Sequence, residues 1–217
     1  MSITILDKSI WFPPVDATDE EGLLAMGGSI ETERLILAYK KGIFPWYEGD
    51  IPLWWCPDPR FVLFPGNLKV SKSMQKIIDK NEFTFTMNTS FPQVIHACKN
   101  MRRKGMDGTW INMDLIRSFI ELHEMGIAHS AEAWLDGELV GGLYGLRMGN
   151  VFFGESMFSE VSNASKFAFI KYTRFLITQN VEIIDCQVFT EHLKSLGAGY
   201  ITRNEFVKIL EKNIPGY

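Results

Sequence analysis

An α+β fold is predicted by three stretches taken in order. Ala128 to Leu135, Glu138 to Met148 and Val151 to Gly154 read as strands parted by Asp136-Gly137 and Gly149-Asn150, dipeptides that favour tight hairpin turns, so they form an antiparallel meander. Asn163 to Gln179 then reads as a long helix, with Phe167, Ile170, Arg174 and Phe175 spread around it. The short, β-rich apolar run Ile183 to Phe189 reads as a further strand, followed by a helix that ends at Gly197. Meander, long helix, strand and helix is the order of an acetyltransferase-like (GNAT-like) fold, expected here over residues 61–217. A small N-terminal α/β domain is expected ahead of it, over residues 1–60.

The earlier elements follow from local signals. The opening segment is rich in Pro, Gly and Trp, as in Trp11-Phe12-Pro13-Pro14 and Gly27-Gly28, and is expected to be held by aromatic anchors more than by long regular elements. Trp54 and Trp55, bounded by Pro57 and Pro59, read as such anchors. Within the segment, Thr32 to Lys41 places Leu35, Ala38 and Tyr39 at helical spacing and stops at Gly42, a C-terminal cap. From Arg60 the texture changes. Phe61 to Phe64 reads as a strand ended by Pro65, and Ser71 to Lys80 as a helix with Met74, Ile77 and Ile78 inward. Phe83, Phe85 and Met87 alternate as a strand, Ser90 before Phe91-Pro92 opens a helix, and Asn112 opens another bearing Ile116, Phe119, Ile120 and His123. Thr202-Arg203-Asn204-Glu205 is a capping-box pattern opening the last helix.

With 217 residues, 46% hydrophobic and 22% charged, the chain has enough apolar mass for a substantial core. A net charge of −4 argues against a protein coated in phosphate-binding charge, so any nucleic-acid contact is expected to be confined. The start lacks the basic and apolar regions of a secretion signal, and no apolar run approaches a membrane span, which reads as cytoplasmic. Cys56, Cys98 and Cys186 show no paired metal-ligand or redox spacing and are expected to be reduced, buried thiols.

Gly154-Glu155-Ser156-Met157-Phe158-Ser159 and, one helix-length later, Ile184-Asp185-Cys186-Gln187 set acid and amide groups beside apolar ones. That pairing suits gripping an apolar aminoacyl group during acyl transfer. In a strand, Asp185 and Gln187 would share one face and Cys186 would point away. Acyl transfer from coenzyme A is disfavoured, because the glycine-rich turn that would hold its pyrophosphate is replaced by a segment carrying Glu155. A nucleophile elbow fails too, since Phe158 occupies the required second glycine and leaves Ser156 as a structural or pocket hydroxyl. Glu191-His192 has no second ligand at metal spacing, so His192 reads as structural and no metal is expected. Lys72, Lys76 and Lys80, with Lys69 just before, form a basic stripe on a predicted helix, and Arg102-Arg103-Lys104 a second cluster. Either could meet nucleic-acid phosphates. A noncatalytic binding protein is the remaining alternative.

Several ordered blocks resemble one family, the leucyl/phenylalanyl-tRNA–protein transferases, over nearly the whole chain. They are Gly22-Leu23-Leu24-Ala25-Met26-Gly27-Gly28, Lys41-Gly42-Ile43-Phe44-Pro45-Trp46, Trp54-Trp55-Cys56-Pro57-Asp58-Pro59-Arg60, Gly108-Thr109-Trp110-Ile111, Gly141-Gly142-Leu143-Tyr144-Gly145 and the two segments above. The resemblance implies transfer of leucine or phenylalanine, with methionine as a further donor, from aminoacyl-tRNA to a protein beginning with Lys or Arg, marking it for N-end-rule degradation. It implies no metal and no coenzyme, the tRNA 3′ end and the acceptor protein as partners, and a single chain as the working unit. Asp185 and Gln187 match an acid–amide pair described as a proton relay; a neutral amide holds a proton poorly, so Gln187 is expected to orient the amine and Asp185 to supply negative charge and attract the cationic acceptor. Thr190 stands where some members carry an Asn that helps hold the oxyanion. Glu155 is implied in the aminoacyl pocket, as a partner for the donor's α-ammonium, with walls from Leu143, Phe152, Met157, Phe169, Tyr172, Leu176 and Ile184. Trp46 and Trp110 match aromatic positions associated with the terminal adenosine.

Overall fold

The computed structural model describes residues 3–101 and 111–216. Within the Pro- and Trp-rich opening, four short strands that no sequence signal places individually form the sheet of the N-terminal part: β1 (Thr4–Leu6), β2 (Leu23–Gly27), β3 (Phe44–Pro45) and β4 (Leu53–Trp55), in spatial order β1-β2-β4-β3. Each strand is too short for an alternating pattern to show, and its stability comes from anchors. Trp54, fully buried, donates its Nε1–H to the Gly27 carbonyl at 2.9 Å, and Trp55 donates to the Trp46 carbonyl at 2.6 Å. Between β2 and β3 lies helix α1 (Thr32–Lys40), which buries Leu35, Ala38 and Tyr39 and ends where Gly42 takes a φ of 75°.

The second sheet has seven strands. Its members are β5 (Arg60–Leu63), β6 (Thr84–Met87), β7 (Ala128–Leu135), β8 (Glu138–Met148), β9 (Val151–Ser159), β10 (Ile183–Asp185) and β11 (Gly199–Ile201), in spatial order β11-β5-β10-β9-β8-β7-β6. The expected turn residues make the meander: Asp136 and Gly137 take φ of 51° and 85°, and Gly149 takes 56°. Helices α2 (Lys72–Asp79), α3 (Phe91–Asn100), α4 (Met113–Glu124), α5 (Ala164–Thr178), α6 (Glu191–Ser195) and α7 (Arg203–Asn213) complete the chain. Ser71, Asn112, Thr190 and Thr202 each cap a helix N-terminus, and Thr202 with Glu205 forms the full capping box.

Alternation along the strands feeds two cores, one on each face of the large sheet. Val62, Tyr144, Phe153 and Phe158 face a core shared with α1, α3, α4 and the first sheet, whereas Phe61, Leu63, Phe152 and Ile184 face one closed by α2 and α5. The sheet is thus covered on both sides, and the apolar contact is continuous from the first sheet to the second.

One strand departs from expectation. The run Ile183–Phe189 is extended only to Asp185; Gln187 takes a φ of 54°, and the Val188 N–H bonds the Cys186 carbonyl at 2.7 Å, closing a three-residue turn. The cause is local. The Asp185 carboxylate accepts the Gln187 backbone N–H at 3.0 Å, a side-chain bond that competes with the strand ladder. Asp185 and Gln187 therefore do not share a strand face, and Cys186 does not turn away from the site as alternation had implied.

Candidate active site

The end of β10 opens the site. β9 pairs with β8 along its whole length but with β10 only from Val151 to Phe153, so beyond Phe153 the two strands part. In the β8–β9 ladder Tyr144 faces Ser156 and Gly145 faces Gly154, which leaves Glu155 as the extra residue of a β-bulge. The bulge reverses the phase of the strand. Phe152 and Met157 both pack toward the α5 side although they lie five residues apart, and Glu155 is aimed into the gap. Gly145 is required opposite it, because a Cβ there would stand 2.1 Å from the Phe153 carbonyl oxygen.

The gap is a cavity of about 510 Å³, within the range of pockets that enclose small ligands. Phe44 and Pro45 of β3 and Trp46 just after it line it, with Leu143, Phe152, Met157, Phe169 and Ile184 as apolar walls. Glu155, Asp185, Gln187, Thr190 and His192 supply its polar lining together with Ser156, Ser159 and Ser165. Of the expected wall, Tyr172 and Leu176 are misplaced. Tyr172 packs edge-on behind Phe152 with ring centroids 5.0 Å apart, and Leu176 is fully buried in the core, so both support the wall from behind. They lie further along α5 than Phe169, beyond the splay.

A buried ion pair organises the polar lining, and its cation escaped the sequence reading. Arg60 donates from Nε and Nη2 to the two Asp185 oxygens at 2.8 and 2.6 Å, with both side chains at most 1% exposed. Its guanidinium lies 4.7 Å from the ring centroids of both Phe44 and Phe206. Burial alone would lower the Arg60 pKa, and the Asp185 carboxylate more than offsets this and raises it. The negative charge expected of Asp185 is thus balanced where it stands, and its buried carboxylate offers no open contact to a cationic acceptor. Asp185 instead holds the turn at Gln187, whose Nε2 donates to Glu155 Oε1 at 3.1 Å. The Pro57-Asp58-Pro59-Arg60 block offers an acid two residues from the cation, but Asp58 accepts the Arg203 backbone N–H at 2.9 Å and Arg60 pairs with Asp185, 125 residues away.

Glu155 is enclosed by protein apart from the cavity. Burial pushes its pKa up to about 8; the neighbouring Tyr39 hydroxyl and Arg60 work against the rise, and Asp185 adds to it. Tyr39, itself buried, has its hydroxyl pKa raised well above the usual value by burial and by the Glu155 charge. Thr190 accepts the Leu193 N–H at 3.1 Å as the cap of α6. His192, read as structural from sequence, lines the cavity; burial and then the Lys166 charge lower its pKa and favour the neutral ring. Cys186 is buried, its thiol pKa raised by burial and then by Asp185, which makes it a poor nucleophile.

Trp46 lines the cavity with 39% of its surface exposed, tilted against Trp55 at 6.0 Å. Trp110, Arg102, Arg103 and Lys104 lie outside the described residues. Lys69, Lys72, Lys76 and Lys80 are all exposed, and none of them lines the cavity. Among the described residues no group of three or more His, Cys, Asp or Glu side chains is placed to hold a metal ion, and no helix is long and apolar enough to cross a membrane.

Two family models match the chain: Leucyl/phenylalanyl-tRNA protein transferase over residues 62–211, and the N-terminal domain of the same family over residues 28–58. Leucyl/phenylalanyl-tRNA–protein transferase of Flavobacterium johnsoniae is 54% identical over 207 residues, covering 95% of this chain and 98% of its own. The protein of the same name from Syntrophobacter fumaroxidans is 47% identical over 99% of this chain and 92% of its own. Among solved structures, a GCN5-related N-acetyltransferase-like protein from Streptococcus suis aligns at 11% identity over 75% of this chain and 61% of its own, with a TM-score of 0.37, too loose a fit to bear on function. On sequence identity along almost its full length, the chain belongs to the leucyl/phenylalanyl-tRNA–protein transferase family.

Proposed function

We propose that this enzyme moves leucine or phenylalanine, with methionine as a further donor, from the 3′ end of aminoacyl-tRNA to the N-terminal Arg or Lys of a protein, in the cytoplasm, marking that protein for N-end-rule degradation. The observation that carries the reading is the apolar-walled cavity of about 510 Å³ between the splayed β9 and β10, with Gln187 and Glu155 in its lining. Leu143, Phe152, Phe169 and Ile184 give it a hydrophobic wall without a fixed polar contact for the donor side chain, and Met157 repacks readily enough to accept both branched and aromatic groups. Trp46 offers an exposed indole face beside the cavity for the terminal adenine, a stacking worth about 1 to 3 kcal/mol. With the chain divided at residue 60, this shelf belongs to the N-terminal unit and the reacting groups to the C-terminal one.

The reaction is aminolysis of an activated ester. An α-amino group has a pKa of about 7.7 to 8, so a useful fraction is neutral near pH 7, and positioning with oxyanion stabilisation does most of the work. The Thr190 hydroxyl uses a lone pair to cap α6, which leaves its proton to donate to the oxyanion. Gln187, held by its turn, presents an amide to the incoming amine. Purified protein incubated with labelled phenylalanyl-tRNA and a peptide beginning with Arg should transfer label to the peptide, and an N-acetylated peptide should receive none. Binding without transfer, or a requirement for acetyl-coenzyme A, would sink the reading.

A further inference from the structure

We propose that Glu155 is the group that takes the proton from the attacking amine and returns it to the departing ribose oxygen. The proposal rests on the transferase reading above and assigns its proton transfer to one atom pair. Two carboxylates line the cavity among the described residues, and they are not equivalent. Asp185 has both oxygens bound by Arg60 and one also bound by the Gln187 backbone. Glu155 accepts from Gln187 Nε2 to Oε1 at 3.1 Å and lies beside the Tyr39 hydroxyl, and among the described residues no cation forms an ion pair with it. The β-bulge aims this carboxyl into the cavity, and the Gln187 contact fixes its orientation and leaves the Gln187 carbonyl oxygen to accept from the amine.

The step balances. The amine nitrogen attacks the ester carbonyl carbon, the C–N bond forms, the carbonyl electron pair moves to oxygen, and the nitrogen's proton passes to Glu155. On collapse the bond to the ribose 3′-oxygen breaks, and Glu155 delivers the same proton to that oxygen. The groups around Glu155 suit this traffic. Tyr39 of α1, Arg60 of β5 and Asp185 of β10 act on it directly, while Tyr144 of β8 and His192 of α6 line the same cavity. Burial first, then these neighbours, leaves its pKa at about 8, close to that of an α-amino group, so the proton exchange is nearly level in energy. The ionised form of Glu155 takes the proton, and a pKa of about 8 keeps that form within reach near neutral pH while making the protonated form a ready donor on collapse.

Two donors separate the roles. Phenyllactyl-tRNA keeps the ester and the benzyl group of phenylalanyl-tRNA but carries a hydroxyl in place of the α-amine. In single-turnover transfer to a peptide beginning with Arg, Glu155→Gln should lose about 10²- to 10⁴-fold with both donors alike. Glu155→Ala should regain part of its rate with added formate, and Glu155→Asp should retain more than Glu155→Gln, with thermal melting confirming the fold of each. The proposal is overturned if Glu155→Gln is impaired with phenylalanyl-tRNA but runs near the wild-type rate with phenyllactyl-tRNA, which would make Glu155 an ammonium anchor. It is equally overturned if His192→Asn costs as much as Glu155→Gln and is rescued by imidazole. A wild-type protein that transfers nothing from phenylalanyl-tRNA would instead refute the transferase reading.

Discussion

Glu155 carries a cost to stability that its pKa makes measurable. The folded carboxyl, with a pKa of about 8, holds its proton more tightly than the unfolded one near 4.5, so folding is unpenalised below pH 4.5 and progressively penalised as the pH rises to 8. Glu155→Gln cannot ionise and escapes the penalty. Its unfolding free energy should match wild type near pH 4.5 and exceed it increasingly up to about pH 8, by on the order of a few kcal/mol at most, then level off. A constant difference across that range would show that Glu155 is solvated like a surface acid. The sequence marked Glu155 as a site residue through its neighbours, but not its environment. Burial, the approach of Tyr39 and the charges of Arg60 and Asp185 are contributed by residues distant in the chain.

Two irregular elements make the site, a bulge in β9 and the turn after β10. The bulge changes which side chains face the cavity, and the turn breaks the alternation on which the pairing of Asp185 with Gln187 had been argued. Arg60 stitches β5 to the end of β10 across 125 residues of chain and through Asp185 holds Gln187 in a left-handed conformation uncommon for residues other than Gly, Asn and Asp. Arg60→Lys keeps the charge but loses the forked geometry, and should cost on the order of 2 kcal/mol of stability with a fall in kcat larger than any rise in KM for tRNA. Combined with Gln187→Ala, it should cost little further rate beyond Gln187→Ala alone. Additive losses would mean that Arg60 does not act through Gln187.

At the scale of the whole molecule, the site is a junction. The first sheet supplies Phe44 and Pro45, with Trp46 just after β3, the large sheet supplies the splay, and α5 and α6 close it. A nucleic-acid substrate must meet a chain of net charge −4, so its phosphates need a local patch. The exposed stripe of Lys69, Lys72, Lys76 and Lys80 runs along α2, which packs on α5, where Arg174 donates to Gln75 at 2.9 Å. Changing Lys72, Lys76 and Lys80 together to Glu should weaken aminoacyl-tRNA use and flatten the dependence of binding on salt, with melting temperature little changed. Unaltered affinity and salt slope would remove this stripe from the binding surface.

By itself the sequence determined the α+β class, the meander with its hairpin turns, the helices and their caps, and the family. Those features are written in local chemistry: a positive-φ dipeptide, a capping hydroxyl, a repeat of apolar residues, or blocks of residues in order. Only the tertiary structure decided that Asp185 is neutralised by Arg60, that Glu155 stands on a bulge with a pKa near 8, that Tyr172 and Leu176 sit behind the wall, and that His192 faces the cavity. Each of these depends on which distant side chain fills the space beside a given one, and burial and charge compensation belong to that meeting of elements, not to either segment alone.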